Sequence, residues 1–115
     1  MLDDFQIGSM RSGQTVLLRI SGRLDAKSAP QLLERCAVVR TAGYNLILNL
    51  GGVTFVASSG IGALLAVAEQ FREAECRIRF ASLSAAVESV IKLLNLDQFL
   101  TIDPTEDDSL TALEA

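Results

Sequence analysis

Two adjacent serines and a glycine, Ser58, Ser59 and Gly60, are the residues best placed to do chemistry in this chain. They interrupt an apolar run in TFVASSGIGALL, residues 54–65, where strand-like sequence hands over to helix-like sequence. A hydroxyl at a helix start meets free backbone N–H groups and roughly +0.5 of a charge. An anion there is favoured by about 0.3–1 kcal/mol, or by ~2 when partly buried. Ser58 or Ser59 can therefore hold a phosphoryl group, with Gly60 and Gly62 leaving room for close approach. The plainer reading is capping, because serine is a preferred N-cap worth about 1 kcal/mol.

Other chemistries fail on composition and spacing. The chain contains no histidine, which removes Ser–His–Asp and Cys–His catalysis and most zinc sites. A nucleophile elbow centred on Ser58 would need glycine where Val56 stands. No Gly-Lys-Ser/Thr ending marks a phosphate-binding loop. Gly60 and Gly62 lack the third glycine of a dinucleotide fingerprint, since Leu65 stands there. Cys36 and Cys76 lie in apolar sequence and read as small core residues in a reducing compartment, not as metal ligands. No metal and no cofactor is expected.

The elements that must position the serines come next. At 115 residues, half of them apolar but only 5 % aromatic, the chain suits one domain with an aliphatic core. Net charge is −4 and the ten basic residues are scattered, so nucleic acid is not an expected partner. No apolar run approaches the ~18 residues of a spanning helix. The opening MLDDFQIG is acidic and short of apolar residues, unlike a signal peptide, and a cytoplasmic protein is expected.

Strands are expected at 5–8 and 15–20, with a turn at 11–14 and a possible resumption at 23–24. Ser28, Pro30 and Gln31 form a capping-box start for a first helix closed by Gly43. Residues 45–50, NLILNL, read as a strand buried on both faces, interrupted by Gly51 and Gly52 and resumed at 53–56. A second helix is predicted over 60–73 with Ile61, Leu64, Leu65, Ala68 and Phe71 on one stripe. A strand at 77–81 follows, then a helix capped by Ser84 with Val87, Val90, Ile91 and Leu94 as its apolar set. Residues 96–100 read as a loop packing back on the core, 101–103 as a short strand, and Pro104 and Thr105 introduce an acidic last helix. Alternating strands and helices imply parallel pairing with right-handed crossovers.

Three stretches, ISGRLDAKSAP (20–30), LILNLGGVTFVASSGIGALL (46–65) and LLNLDQFL (93–100), together resemble the STAS domains, and more narrowly the bacterial anti-sigma factor antagonists. The resemblance runs over nearly the whole chain. It implies a single α/β domain over residues 1–115, with a mixed, mainly parallel sheet of four to five strands and about four helices. It also implies a non-enzymatic binding role in partner switching. The unphosphorylated antagonist binds an anti-sigma factor, itself a serine kinase of the histidine-kinase-like ATPase fold, and frees the sigma factor. Phosphorylation releases the antagonist, and a PP2C-type phosphatase resets it. No direct membrane insertion is implied.

The family's acceptor lies in an Asp-Ser-(Ser/Thr)-Gly turn. Matched by position, the acceptor falls on Ser58, the next hydroxyl on Ser59 as second choice, the glycine on Gly60 and the aspartate on Ala57. Alanine can neither orient the hydroxyl nor be read by the kinase, and it also removes like-charge repulsion of a phosphate. The family's Asp-Leu at the end of the central apolar run is Asn49-Leu50 here. The implied partner-contacting positions are Asp25, Ser28, Ala57, Ser58, Ser59, Gly60 and Ile61. Asp25 also admits a plainer reading as a solvated turn carboxylate or supplementary cap. Ala57 leaves open a constitutive subunit of a larger assembly, in a lipid-transport ABC complex or a stress-signalling scaffold. Binding of a small anion or nucleotide at the Gly60 helix is a third reading.

Overall fold

The computed structural model of the chain describes residues 4–114. Positions 1–3 of the acidic opening, and position 115 of the expected domain, lie outside the described residues. Strand β1 (Gln6–Ser12) and strand β2 (Thr15–Leu24) form an antiparallel hairpin in which Ser12 pairs with Thr15. The expected four-residue turn therefore shrinks to Gly13 and Gln14, and β1 runs four residues past its predicted end. Residues 23–24 do continue β2.

Strand β3 (Asn45–Val56) is continuous, so the break expected at Gly51 and Gly52 does not occur. The parallel register with β2 shifts there instead, between Arg19 and Ser21 and again between Gly22 and Arg23. A Cβ on Gly52 would lie 2.7 Å from Ser21 Cβ and 3.0 Å from the Ile20 carbonyl oxygen. The glycine is there because the two backbones approach at a bulge, not because the strand ends.

Helix α1 (Ala29–Thr41) carries Pro30 in its first turn, and Gly43 follows its C-cap, Ala42. The capping box does not form. Ser28 has helical backbone angles and its hydroxyl makes no cap bond. Ser28 Oγ instead accepts the Asp25 N–H at 3.0 Å and donates to the Arg23 carbonyl at 2.7 Å. Helix α2 (Ser58–Glu73) begins two residues before its predicted start. Strand β4 (Ile78–Ala81) leads to helix α3 (Ala85–Leu93), where Ser84 caps as expected by accepting the Val87 N–H at 3.3 Å. Val87 and Ile91 are buried, but Leu94 is 54 % exposed, a correction to the predicted apolar set. It stands at the C-cap, past the last helical turn. A 3-10 turn (Leu96–Gln98), strand β5 (Ile102–Asp103) and helix α4 (Glu106–Glu114) complete the chain. Within the expected packing loop, Leu100 is buried but Phe99 points outward.

The strands lie in the order β1-β2-β3-β4-β5, with every pair after the first parallel. Three successive right-handed crossovers in one direction put α1, α2 and α3 on one face. Alternation along β3 divides the core accordingly. Leu46, Leu48 and Leu50 join the large cluster with Leu32, Leu64, Val67, Phe71 and Val87. Ile47 faces the opposite way and meets Ala81 and Leu113, so α4 covers the other face. The sheet is thus covered on both sides at β3, which explains its unbroken apolar sequence.

Candidate functional site

The carboxyl ends of β2 and β3 lie side by side, with Arg23 opposite Phe55 and Leu24 opposite Val56. The loops that leave them carry the candidate residues. Ala57 continues the extended backbone (φ −91°, ψ 170°) as the N-cap of α2, and its N–H donates to the Leu24 carbonyl at 2.9 Å. Its methyl group cannot cap. The Ala57 carbonyl accepts the first intrahelical bond, from the Ile61 N–H at 3.0 Å. The N–H groups of Ser58, Ser59 and Gly60 are therefore the free donors of the helix start.

Neither serine is the N-cap, against the capping reading. Both stand in the first turn of α2, exposed, with no acidic residue in that turn. Their hydroxyls are left for solvent or a partner.

Gly60 is buried, and the room it leaves is filled by the chain itself. A Cβ there would lie 2.5 Å from the Leu24 carbonyl oxygen and 2.8 Å from Leu24 Cγ. Only glycine lets the first turn of α2 rest on the end of β2. Gly62, by contrast, is exposed with open space around it. Ile61 is only 7 % exposed and anchors the helix start in the core. Gly60 and Ile61 therefore set the position of the serines, while Ser58, Ser59 and Gly62 form the surface.

Asp25 organises the neighbouring loop. Its Oδ1 accepts the Lys27 N–H at 3.0 Å and the Ser28 N–H at 3.2 Å. Those bonds, the Ser28 one foremost, hold its carboxyl below the ordinary range against an opposing effect of desolvation. Its other oxygen lies 3.8 Å from Arg23 Nε. Ser28 is 3 % exposed, so its hydroxyl serves this loop. The sequence did not single out Arg23 and Phe55. The Arg23 guanidinium lies over the Phe55 ring at 4.1 Å, and Phe55 is 40 % exposed. A large aromatic residue next to Thr54 near a strand end was the available signal.

A second polar cluster accounts for Asn49. Its Oδ1 accepts the Gly51 N–H at 2.8 Å, which turns its NH2 toward the Glu106 carboxylate. Arg19 grips the same carboxylate with two bonds, at 2.8 and 2.9 Å. Arg19, then desolvation in the other sense, then Asn49 set the Glu106 carboxyl, with the net direction downward. A carboxylate at position 49 would face Glu106 directly, so asparagine is the compatible residue.

Cys36 is buried and its pKa is pushed up to about 12 by desolvation, while Cys76 is half-buried against the core. Among the described residues no His, Cys, Asp and Glu group could hold a metal. No helix among them is long and apolar enough to cross a membrane.

The STAS domain family model matches residues 9–109. The chain belongs to the STAS domain family. This STAS domain is 27 % identical over 100 residues to the anti-sigma-F factor antagonist RsfA of Mycobacterium tuberculosis, covering 84 % of this chain and 78 % of the relative. Among solved structures it resembles an anti-sigma factor antagonist from Mycobacterium paratuberculosis, with a TM-score of 0.88 and 26 % identity over 98 % of this chain and 97 % of that one. The anti-sigma factor antagonist SpoIIAA, solved in its unphosphorylated form, aligns with a TM-score of 0.76 over 96 % of each chain. At 23 % identity that likeness shows the fold alone.

Proposed function

We propose that this STAS domain is an anti-sigma factor antagonist that acts by binding rather than catalysis. Its partner is an anti-sigma factor that is also a serine kinase of the histidine-kinase-like ATPase fold. Binding frees the sigma factor. The kinase moves the γ-phosphoryl group of ATP to Ser58 Oγ, releasing ADP and the hydroxyl proton, and a PP2C-type phosphatase hydrolyses the ester. Ser59 is the second choice of acceptor. The docking face comprises the edge formed by Asp25, Ala57, Ser58 and Ser59, with the buried Ser28, Gly60 and Ile61 acting from beneath. The name shared by the matched relatives supports the class of function. The observation that carries the site is the exposed Ser58 in the first turn of α2, where Ala57 occupies the N-cap position.

The switch needs only local charge. A phosphoserine adds about −1.5 to −2 charges at pH 7. Within its own chain that charge sits at the positive end of α2 with no carboxylate in the turn, so the domain tolerates it. In an interface it must be desolvated against the partner. A penalty of ~3 kcal/mol cuts affinity more than a hundredfold. The test measures binding of purified anti-sigma factors of the source organism to the unphosphorylated chain and to Ser58→Glu. The reading expects one of them to bind, and to bind the glutamate variant at least a hundredfold more weakly. Equal affinity for both forms contradicts it.

Ala57 supports a second reading, a constitutive subunit of a larger assembly, since it removes the carboxylate beside the acceptor. Co-purification with a transporter ATPase instead of a kinase is the result that favours it.

A further inference from the structure

The two edges of the sheet are unlike. Strand β5 closes one side with only Ile102 and Asp103. Strand β1 closes the other with seven residues, all exposed except the half-buried Ile7. An open edge is a row of unused backbone donors and acceptors, which proteins commonly blunt with proline, bulges, charge or shortness. β1 is barely defended. It contains no proline, and its register with β2 runs unshifted from Gln6 opposite Ser21 to Ser12 opposite Thr15. Its one charge, Arg11, is drawn back onto its own chain. Arg11 Nε donates to the Gly13 carbonyl at 3.0 Å, and the guanidinium lies over the Tyr44 ring at 4.3 Å.

The hairpin decides which backbone groups are free. Ser12 and Thr15 flank a two-residue turn, so they form a hydrogen-bonded pair. Alternation then points the N–H and C=O groups of Gln6, Gly8 and Met10 toward β2, and those of Ile7, Ser9 and Arg11 outward. No described strand lies beyond them. The outward residues are spaced evenly about Ser9. A second β1, laid antiparallel on a two-fold axis through Ser9, meets them all: Ser9 pairs with Ser9, and Ile7 with Arg11 in both senses. Moving the axis to Gly8 or to Met10 leaves an outward residue of β1 unpaired. No like charges face each other across the axis, because Arg11 lies opposite Ile7.

The side chains favour the same register. Nothing inside the chain calls for glycine at position 8: its φ is not positive, and a Cβ there would meet only Arg19 atoms, at 3.9 Å. A glycine inside a strand weakens it, and often marks a place where another group approaches closely. Met10, two residues on and on the same face of the sheet, is 56 % exposed. In the two-fold arrangement, Gly8 of one copy and Met10 of the other form a non-hydrogen-bonded pair, the kind that brings side chains closest. Each Met10 then lies over the bare backbone of the other copy's Gly8.

We propose that β1 joins two copies of this chain edge to edge, in an antiparallel pairing centred on Ser9 that makes their sheets continuous. One strand supplies both the donors and the acceptors, and both Met10 and the Gly8 that receives it, so the occupant it fits is itself. The proposal does not depend on the function proposed above. Seven residues a side fall well short of the about 20–30 of a standard interface. The dimer is therefore reversible, with a dissociation constant of about 0.1–1 mM.

Sedimentation equilibrium of the full chain, Ser9→Pro, Met10→Ala and Leu93→Gln tests it. Proline removes the outward Ser9 N–H, which the β1–β2 ladder does not use, and so breaks both central bonds of the dimer. Met10→Ala removes the side chain seated on Gly8. Leu93, 79 % exposed on α3, is the control for general apolar association. The expected result is a monomer–dimer equilibrium for the parent and for Leu93→Gln, weakened at least about tenfold in Ser9→Pro and Met10→Ala. Amide hydrogen exchange of the parent adds a readout that needs no variant. The Ile7, Ser9 and Arg11 N–H groups should slow on going from dilute solution to ~1 mM, while those of Gly8 and Met10, already bonded to β2, should not. A parent that stays monomeric at ~1 mM overturns the proposal. So does a dimer that both edge variants leave intact, one that Leu93→Gln abolishes, or one that forms without slowing the three outward amides.

Discussion

Replacing Asn49 with aspartate tests the reading of a clamp in which Arg19 and Asn49 hold Glu106, the first residue of α4. In the parent, Asn49 donates to Glu106 and accepts from the Gly51 N–H. Aspartate keeps the second bond and loses the first, and a hydrogen bond to a charged acceptor is worth about 1.5–3 kcal/mol. It also sets two carboxylates against each other. Unit charges 4 Å apart repel by ~4 kcal/mol at an effective dielectric of 20. The Glu106 side chain is 23 % exposed and Arg19 remains beside it, so solvent and the guanidinium remove much of that. The net expectation is a loss of about 2–3 kcal/mol at pH 7, or roughly 10 °C in Tm.

The pH dependence gives a sharper signature. In the parent, the Glu106 carboxyl is held below its ordinary value. Its contribution is present above the unfolded pKa and is lost as pH falls through the folded one. In Asn49→Asp the carboxylate pair shares a proton, so its folded pKa lies above the unfolded value. The destabilisation is then absent below about pH 4 and grows as pH rises toward the raised folded value. Urea titrations at pH 4 and pH 7 read both arms. Adding Glu106→Gln should restore most of the loss at pH 7. A variant as stable as the parent at pH 7, or one whose deficit is the same at both pH values, refutes the clamp.

Further outcomes follow from the serine turn and the core. Gly60→Ala should destabilise by a few kcal/mol in urea titration, because its Cβ would meet the Leu24 carbonyl at 2.5 Å, whereas Gly62→Ala should stabilise by about 0.5–1 kcal/mol. Ser84→Ala should cost about 1 kcal/mol of stability through its lost cap, while Ser58→Ala should stay within about 0.5 kcal/mol of the parent. Cys36, with its pKa near 12, should resist alkylation at pH 8 in the folded domain and react in urea, as read by intact mass.

The element order was legible because each piece carries its own period. NLILNL reads as a strand and the Ile61, Leu64 and Phe71 spacing as a helix without tertiary help. What escaped was decided by partners distant in sequence. Gly51 and Gly52 look like a break, yet the strand runs on through a bulge, with Ser21 and Ile20 approaching Gly52 and the Ser82 carbonyl approaching Gly51. Ser28 has the spacing of a capping box, but Asp25 takes its N–H and Arg23 its hydroxyl. The Arg19, Asn49 and Glu106 cluster joins residues up to 87 positions apart, which no local pattern signals. Within the candidate site, the serine pair was readable from its turn. That Gly60 packs against its own chain, and that Arg23 and Phe55 stack beside it, came from the pairing of β2 with β3.

Phosphorylation tests the central claim most directly. The full chain, Ser58→Ala and Ser59→Ala are each incubated with ATP and the anti-sigma factor that binds the chain, then weighed intact. The expected result is one added phosphoryl group on the parent and on Ser59→Ala, and none on Ser58→Ala. No phosphorylation of the parent by a kinase that binds it, or a phosphoryl group that survives Ser58→Ala, contradicts the account.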